Sequence, residues 1–406
     1  MRKRHLLVAI QLLIIMGAAN NVHSQGIWSS EPSNGFTKRC NLSSCVLGEK
    51  IYVLGGDEDP YFSGYTDTVE VFDPTAQTWS IAPSLPTDRE AFTCSVVGSK
   101  IYAIGGQQQG GGSFGTVFVF DSLTKKWDTA MAMPSARAWH TAAVINGKIY
   151  VIGGTQNDKR ILDTVEIFDP TLNSWSIGPS LPCALTQLAS CVINGKIYVM
   201  GGYGLGGDHG FFNTLEIFDP LTNVWSAGPP MPTGRSLFTA CAINNKIYVT
   251  GGQGSTADLK TLDIFDPATN TWSSGPDMPT GREELAVSVV AGKLYELGGI
   301  AGSCCALNNV EAFSPSGSGV RLDEESTKFT IRPSISSDHL LITLPTTTDP
   351  SSYEIFDALG RAVITGRVLS GSAEFEVATA RLAAGAYVVR VVSRDGPRSA
   401  RFVVSH

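Results

Sequence analysis

The heptapeptide KIYVIGG at Lys148–Gly154 recurs six times, with small changes, in this chain of 406 residues. Each copy ends in a Gly-Gly pair, and successive pairs lie 47 to 50 residues apart. An apolar, β-branched run that stops at paired glycines is typical of a β-strand followed by a turn. Repetition at a nearly fixed period indicates one structural unit copied along the chain. The pairs stand at 55–56, 105–106, 153–154, 201–202, 251–252 and 298–299.

A tryptophan precedes each Gly-Gly pair at an almost constant distance. Five tryptophans stand 26 residues before the first glycine, and Trp28 stands 27 residues before Gly55. A phrase such as VEIFDP (165–170) lies between each Gly-Gly pair and the next tryptophan, and a run of small apolar residues such as HTAAVI (140–145) precedes each lysine. The alternation in these segments predicts four short strands per repeat. Asn-Gly at 146–147 and 194–195 predicts tight turns between the first two strands.

These features together resemble the kelch repeat: Gly-Gly after an apolar strand, a Phe-Asp pair before a tryptophan, and an arginine ten residues beyond it. The resemblance covers residues 26–315 and implies an all-β fold, a six-bladed kelch β-propeller with one four-stranded blade per repeat. The last repeat lacks its fourth strand, whereas Ile27–Pro32 resembles Thr271–Pro276. We therefore predict that the N-terminal strand completes the sixth blade and leaves no long open edge.

The N-terminal residues have the pattern of an export signal. Basic residues at 2–4 followed by an apolar run at 6–19 predict a secretory signal peptide at residues 1–24, with an N-terminal anchor as the alternative. The propeller is predicted at 25–315 and a Ser/Gly-rich linker at 316–325. Removal of residues 1–24 changes the formal net charge from −7 to −10, which disfavours nucleic acid as a partner. No later stretch is long and apolar enough to predict a transmembrane segment.

Residues 326–406 contain seven short strand-like segments, which predict a small Ig-like β-sandwich. YEIFDALGR (353–361), LAAGAYVVR (382–390) and SARFVV (399–404) resemble the C-terminal sorting domain of the type IX secretion system of Bacteroidota. The resemblance implies transport across the outer membrane, to the cell surface or the medium, with the secretion machinery as a partner. Where that family usually opens with Pro-Asn-Pro, this chain has Arg332-Pro333-Ser334. A carbohydrate-binding or adhesive sandwich is the alternative.

Eight cysteines follow the predicted signal peptide, and export permits disulfides. Cys45, Cys191 and Cys241 each stand six residues before an Ile-Tyr pair, a recurrence that favours small packing residues over bridges. Cys183 and the Cys304-Cys305 pair fall in predicted loops and are better disulfide candidates. Sequence spacing leaves the pairing open.

The predicted binding surface is the loop face, where the links between strands two and three and the links between blades come together. Variable links on a rigid scaffold are common binding sites. Four arginines recur ten residues after a tryptophan, while Lys38 and Leu185 take this place in the other two repeats. A guanidinium suits acidic ligands, and the alternative is that these arginines bond to blade carbonyls. The candidate ligand-binding residues are Arg89, Glu90, Arg137, Trp139, His140, Gln187, Arg235, Phe238, Arg282, Glu283 and Glu284.

The sequence favours a non-catalytic recognition module, secreted or at the cell surface, that binds an extracellular protein or a glycan on the loop face. It contains no HExxH and no clustered metal ligands, so we predict no catalytic residue, metal or cofactor. The alternative is a sugar-active enzyme of the sialic-acid epimerase (mutarotase) type, in which the arginines hold a carboxylate and Glu90, Glu283, Glu284 or His140 moves protons. Unpaired arginines at an open pocket would favour the enzyme.

Overall fold

The chain divides into two compact units, Met1–Ser318 and Gly319–His406, and each is described by itself. The structure is a computed structural model. The predicted signal peptide and linker lie outside the described residues. The described residues are 26–59, 64–110, 112–208, 210–302, 305–315, 330–333, 339–343, 350–356, 362–368, 374–378, 382, 385–393 and 396–404.

The first unit consists of six four-stranded antiparallel sheets, the blades of a propeller. Each blade is a meander whose strands follow one another in sequence order, except that the fourth strand of blade 6 comes from the N-terminal segment. Short strands in the loops are Thr155–Gln156, Arg160–Ile161 and Tyr203–Asp208. The blade strands are, for blade 1, Ser43–Leu47, Lys50–Leu54, Val69–Asp73 and Thr78–Ala82; for blade 2, Thr93–Val97, Lys100–Ile104, Val117–Asp121 and Lys126–Ala130; for blade 3, Thr141–Ile145, Lys148–Ile152, Val165–Asp169 and Ser174–Gly178; for blade 4, Ala189–Ile193, Lys196–Met200, Leu215–Asp219 and Val224–Ala227; for blade 5, Thr239–Ile243, Lys246–Thr250, Leu262–Asp266 and Thr271–Ser274; and for blade 6, Ala286–Val290, Lys293–Leu297, Val310–Ser314 and Ile27–Ser30.

The first strands of neighbouring blades contact one another all the way round, so they surround the propeller axis. The hydrophobic core lies between the blades. Ile51 and Val53 of blade 1, for example, pack in one buried cluster with Leu297 and Ala312 of blade 6. Because each blade buries its apolar faces only against its neighbours, the six repeats stabilise one another.

The Gly-Gly pairs exist because the next blade approaches them closely. In blade 3, Gly153 and Gly154 have φ values of 65° and 93°, a region that favours glycine. The Gly154 N–H donates to the Leu185 carbonyl at 2.8 Å, and a Cβ on Gly153 would lie 2.5 Å from that same oxygen. The recurring Gly-Gly pair therefore marks the place where two blades meet.

The N-terminal strand Ile27–Ser30 is the fourth strand of blade 6. It pairs antiparallel with Val310–Ser314, with Trp28 opposite Phe313. Ser29 and Ser30 stand opposite Ala312 and Glu311, so the pairing runs along the whole strand. The ring is thus closed by strands from both ends of the unit.

In the second unit, the described residues form seven strands in two antiparallel sheets, of three and four strands. Ile355, Val389 and Val391 of the larger sheet are buried, as is Val377 of the smaller. The Ig-like arrangement stays a prediction. The strands are Thr330–Pro333, His339–Thr343 and Glu374–Ala378 in one sheet, and Pro350–Phe356, Ala362–Arg367, Gly385–Ser393 and Gly396–Val404 in the other.

The seven cysteines among the described residues are free thiols, Cys183 and Cys305 included. Cys304 lies outside the described residues. Cys45, Cys191 and Cys241 are buried in first strands, in the packing positions that their recurrence predicted. The described part of the chain also contains no helix that is long and apolar enough to span a membrane.

Candidate functional site

Six residues, one before each first strand, form a closed hydrogen-bonded ring around the propeller axis, here called the axial ring. Each has a positive φ between 52° and 58°. Each backbone N–H donates to the carbonyl oxygen of the preceding member over 2.8 to 3.1 Å, and Asn41 N donates to Glu284 O at 3.0 Å to close the circle. The members, in order, are Asn41, Ala91, Trp139, Gln187, Leu237 and Glu284.

A cavity of about 120 Å³ lies at the axial ring. Its wall consists of the six ring members and the residue that follows each of them. None of the lining side chains is a lysine or an arginine, so the cavity carries one acid, Glu284, and no permanent positive charge. The residues that follow the ring members are Leu42, Phe92, His140, Leu188, Phe238 and Leu285.

Five of the predicted site residues come together here: Trp139, His140, Gln187, Phe238 and Glu284. His140 occupies a position that is otherwise apolar, where its ring packs over Gly105 and its Cβ lies next to Gly154. Burial, followed by the nearby charge of Arg137, lowers the pKa of His140 to about 3. Its Nε2 lies 3.1 Å from Thr93 Oγ1. His140 is therefore a neutral packing residue at neutral pH.

The four predicted arginines, Arg89, Arg137, Arg235 and Arg282, do not reach the cavity. All four are fully buried within the blades, and the Nη1 of each donates to the carbonyl of the first glycine of a Gly-Gly pair at 2.9 to 3.1 Å. Arg137 and Arg282 also pair with Glu166 and Glu311, at 3.1 and 2.6 Å, and Arg235 pairs with Asp263. The geometry therefore favours the alternative, that these arginines bond to blade carbonyls, over contact with a ligand.

Blade 1 uses Arg39 in this role, and not Lys38. Arg39 is fully buried, donates to Gly55 O at 3.1 Å and pairs with Glu70. The spacing of ten residues from Trp28 predicts Lys38 at the position of the recurring arginines. The extra residue between Trp28 and Gly55 is the signal that shifts the position by one.

Two blades depart from this pattern in opposite ways. In blade 2 the acid is replaced by Phe118, over which the Arg89 guanidinium lies at 4.3 Å. In blade 4 the arginine is replaced by Leu185, and Glu216 remains buried. Burial raises the pKa of Glu216, and no ion pair among the described residues includes it.

Glu90 and Glu283, the remaining predicted residues, precede ring members and belong to an acidic sector beside the cavity. We define the acidic sector as Asp57, Glu90, Glu283 and Glu284. Glu90 is buried and accepts hydrogen bonds from Tyr65 Oη at 2.7 Å, Gln107 Nε2 at 2.9 Å and Asn41 Nδ2 at 3.0 Å. These donors are neutral, so the charge of the sector is not compensated there.

Burial is the largest cause of raised pKa values in this sector. It raises the pKa of Glu284 to about 8, and repulsion from Glu283, Glu90 and Asp57 adds to this rise. The pKa of Glu283 rises to about 7, with Asp258 as the second cause. The pKa values of Glu90 and Asp57 are also raised by burial. The sector therefore holds protons at a pH at which exposed carboxyls have lost them.

Sequence reasoning missed Asn41, Ala91 and Leu237 of the axial ring, and Tyr65, Gln107 and Asp57 beside it. The ring could have been found from spacing, because five members stand 12 residues after a tryptophan and Asn41 stands 13 after Trp28. Asp57, Tyr65 and Gln107 lie in the links between strands two and three, and these links differ in length from blade to blade. Among the described residues, no group of three or more His, Cys, Asp and Glu side chains is placed to hold a metal ion.

The fold and this site define a six-bladed propeller with an axial cavity. The chain belongs to the kelch-repeat family: it matches the family described as the KLHDC2/KLHL20/DRC7 Kelch-repeats domain over residues 41–231 and 178–319. Residues 331–405 match the secretion system C-terminal sorting domain. The chain is therefore exported by the type IX secretion system, to the cell surface or the medium.

Individual relatives are similar over shorter stretches. An N-(sulfonatooxy)prop-2-enimidothioate sulfolyase of Thlaspi arvense is 38% identical over 92 residues, which are 21% of this chain and 26% of that protein. An F-box/kelch-repeat protein of Arabidopsis thaliana is 38% identical over 86 residues, 20% of this chain and 21% of that protein. The chain thus spans about a quarter of the length of these relatives or less. The solved structure of YjhT, at 17% identity and a TM-score of 0.61, covers 69% of this chain and 95% of its own, and shows the same fold.

Proposed function

We propose that this protein is an exported recognition module that binds a protein or a glycan on the loop face of its propeller, around the axial ring. The observation that carries the proposal is the composition of the ring. Its backbone repeats six times, whereas its side chains are Asn, Ala, Trp, Gln, Leu and Glu. A regular scaffold that presents irregular side chains is suited to selective binding.

Exposed apolar residues next to the ring support this proposal. Tyr203 is 41% exposed and Leu205 is 96% exposed, both in the link that follows the second strand of blade 4. Tyr203 bridges to Thr186, the neighbour of the ring member Gln187. Aromatic and aliphatic side chains in such positions contact partners well, since they bury a large area at a low entropic cost.

The alternative, a sugar-active enzyme of the epimerase type, is favoured by Glu284 and Glu283, whose pKa values of about 8 and about 7 suit proton transfer near neutral pH. The arginines expected to hold an acidic sugar are buried and bonded within the blades. A mutarotation assay on sialic acid tests this alternative directly. A rate above the solvent rate that is lost in Glu284→Gln would support it.

The proposal is tested with residues 25–406, here called the mature chain, on a glycan array and on arrayed extracellular proteins. A double variant, Tyr203→Ser with Leu205→Ser, removes apolar surface from the loop face. The matched control is Leu123→Ser with Leu221→Ser, which are 81% and 92% exposed on the opposite, hairpin face. We expect binding to fall in the first variant and to persist in the second. Equal binding by both variants would contradict a site on the loop face.

A further inference from the structure

The acidic sector gathers where blades 6, 1 and 2 meet at the axis. Glu283 and Glu284 precede the first strand of blade 6, Asp57 follows the second strand of blade 1, and Glu90 precedes the first strand of blade 2. None of the ion pairs between described residues includes any of these four acids. Elsewhere the buried acids Glu70, Glu166, Asp263 and Glu311 have arginine partners. The sector therefore lacks a cation that other parts of the fold provide.

Four oxygen atoms in and beside the sector are buried without a hydrogen-bond donor: Oε2 of Glu283, Oε2 of Glu284, Oδ1 of Asn41 and Oε1 of Gln107. Gln107 is only 7% exposed, and its Nε2 is already bonded to Glu90. An unsatisfied buried acceptor costs free energy. Four such acceptors together indicate a group rich in N–H donors that comes from outside the chain.

The opposite side of the axis carries an aromatic residue. Trp139 stands three steps round the six-membered axial ring from Glu284, and so faces it across the axis. Leu42, Phe92 and Leu285 line the cavity between them. A cation with an alkyl stem can place its charge near a carboxylate and an indole while its methylenes contact apolar walls.

The size of the cavity limits the occupant. Its volume is about 120 Å³, whereas pockets for drug-sized ligands begin at about 300 Å³. An engineered cavity of about 150 Å³ holds one benzene molecule. The space at the axis therefore fits a single side chain better than an oligosaccharide.

We propose that the cavity at the axial ring receives one basic side chain, lysine or arginine, from a protein partner, with Glu284 as the carboxylate that binds its cationic group. This inference rests on the proposed recognition function and names the chemistry of its ligand. Asn41 supplies a neutral acceptor at the cavity wall, and Trp139 supplies the aromatic face. The neighbouring acids Asp57, Glu90 and Glu283 add to the attraction for a cation.

Binding of a cation is coupled to proton release. Glu284 faces Glu283 on its own link, Asp57 and the Cys40 thiol from blade 1, and Glu90 from blade 2. These neighbours provide no positive charge. The three acids favour the protonated form of Glu284, whereas the hydrogen bond with the Cys40 thiol favours the ionised form. A bound ammonium or guanidinium favours the ionised form. Affinity must therefore rise with pH through the range in which Glu284 titrates.

The test uses the mature chain and three capped peptides, Gly-Gly-X-Gly-Gly, in which X is lysine, arginine or norleucine. The indole signal of Trp139, assigned with Trp139→Gln, is followed by NMR during titration. Glutamine is a suitable replacement because Gln187 holds the equivalent ring position. We expect the lysine and arginine peptides to bind roughly tenfold more tightly than the norleucine peptide, and more tightly at about pH 9 than at about pH 6.

Glu284→Gln should lower the affinity for both basic peptides roughly tenfold, with circular dichroism confirming that the variant is folded. Glu49→Gln removes the same charge from an exposed hairpin turn and should leave the affinity unchanged. Equal binding of the norleucine peptide, no binding of any peptide, or an unaffected Glu284→Gln variant would overturn the inference. If the loop-face variant Tyr203→Ser with Leu205→Ser still lost its array ligand, the proposed function would stand without this inference.

Discussion

The indole Nε1 of Trp28 donates a hydrogen bond of 2.8 Å to the carbonyl oxygen of Pro276, 248 residues further along the chain. The same bond joins every pair of neighbouring blades, at 2.7 to 3.0 Å. These bonds form an outer ring around the axial ring, and both rings are closed by the N-terminal segment. The other donor–acceptor pairs are Trp79–Pro32, Trp127–Pro83, Trp175–Met131, Trp225–Pro179 and Trp272–Pro229.

Deletion of residues 25–34 should strongly destabilise the propeller. It removes the strand paired with Val310–Ser314 and the ring of Trp28, which packs on Phe313 at 5.1 Å. Truncation of a fully buried tryptophan costs about 3 to 5 kcal/mol. Trp28 is partly buried, but the deletion removes its paired strand as well. We expect a melting temperature lower by ten degrees or more, as a rough figure for a loss of this size. Calorimetry on the mature and shortened chains measures it.

A milder pair of variants isolates the closing hydrogen bond. Trp28→Phe and Trp272→Phe each remove one indole donor, with a cost of roughly 1 kcal/mol beyond the change in packing. If the closing strand is held like the others, the two variants lose similar stability in urea unfolding. A Trp28→Phe variant as stable as the parent protein would show that the closing strand contributes little.

Leu185→Arg should stabilise blade 4. In blades 2, 3 and 5 the arginine Nη2 donates to a threonine hydroxyl, at 3.0 to 3.1 Å. The equivalent Thr214 Oγ1 in blade 4 is buried without a partner, and Glu216 has no arginine. An arginine at 185 would satisfy both groups, and we expect a gain of about 1 to 2 kcal/mol in the free energy of unfolding at neutral pH.

Two further variants show whether the gain comes from charge pairing. Leu185→Met preserves the side-chain volume without a donor and should bring no gain. The double variant Leu185→Arg with Glu216→Gln should lose most of the gain. Since the pair needs an ionised carboxylate, the gain should also disappear as the pH falls through the pKa of Glu216. A gain that persists in the double variant would contradict the pairing.

The blades could be predicted from sequence because their requirements recur. Each Gly-Gly pair and each tryptophan makes a contact with a neighbouring blade. Because every blade needs these contacts, the same residue types recur at a nearly fixed spacing. The burial of the arginines could not be derived in this way. An arginine that donates to a glycine carbonyl and an arginine that binds a ligand would both recur once per repeat. The two roles therefore give the same sequence pattern. The structure is needed to show that the guanidinium of Arg137 lies inside the blade, against the Gly153 carbonyl.

The site was partly predictable for the same reason. Trp139, Gln187 and Glu284 were predicted because they are near neighbours of the recurring arginine position. Asn41 was missed through the shift of one residue in blade 1. Tyr65 and Gln107 lie in links of different length, and their approach to Glu90 depends on how those links fold back. No periodicity in the sequence encodes that approach.

Glu296 makes stability depend on pH. It is fully buried in blade 6, at a place where Val53, Val151 and Val199 stand in other blades. Thr250 and Thr239 of blade 5 donate to its carboxylate. Burial raises its pKa from 4.5 to about 7. A carboxyl with a higher pKa in the folded chain binds more protons when folded, so the free energy of unfolding falls as the pH rises from 4.5 to about 7.

Glu296→Gln should therefore weaken this dependence. We expect the variant to match the parent protein near pH 4.5 and to be more stable above about pH 7, by about 1 to 3 kcal/mol. Urea unfolding at several pH values measures the difference, and Glu49→Gln on the exposed turn is the control. Parallel curves for Glu296→Gln and the parent protein would contradict a raised pKa for Glu296.

Removal of residues 319–406 should abolish passage across the outer membrane while leaving the propeller folded. The reason is that the propeller closes on itself through Trp28 and Pro276, whereas the second unit has its own sheets and its own buried residues, such as Ile355 and Val389. In a host with a type IX secretion system, the shortened chain should accumulate in the periplasm with an unchanged melting temperature after purification. A folded periplasmic carrier fused to residues 319–406 should in turn reach the outside. Release of the shortened chain into the medium at the parent level would show that the information for export lies elsewhere in the sequence.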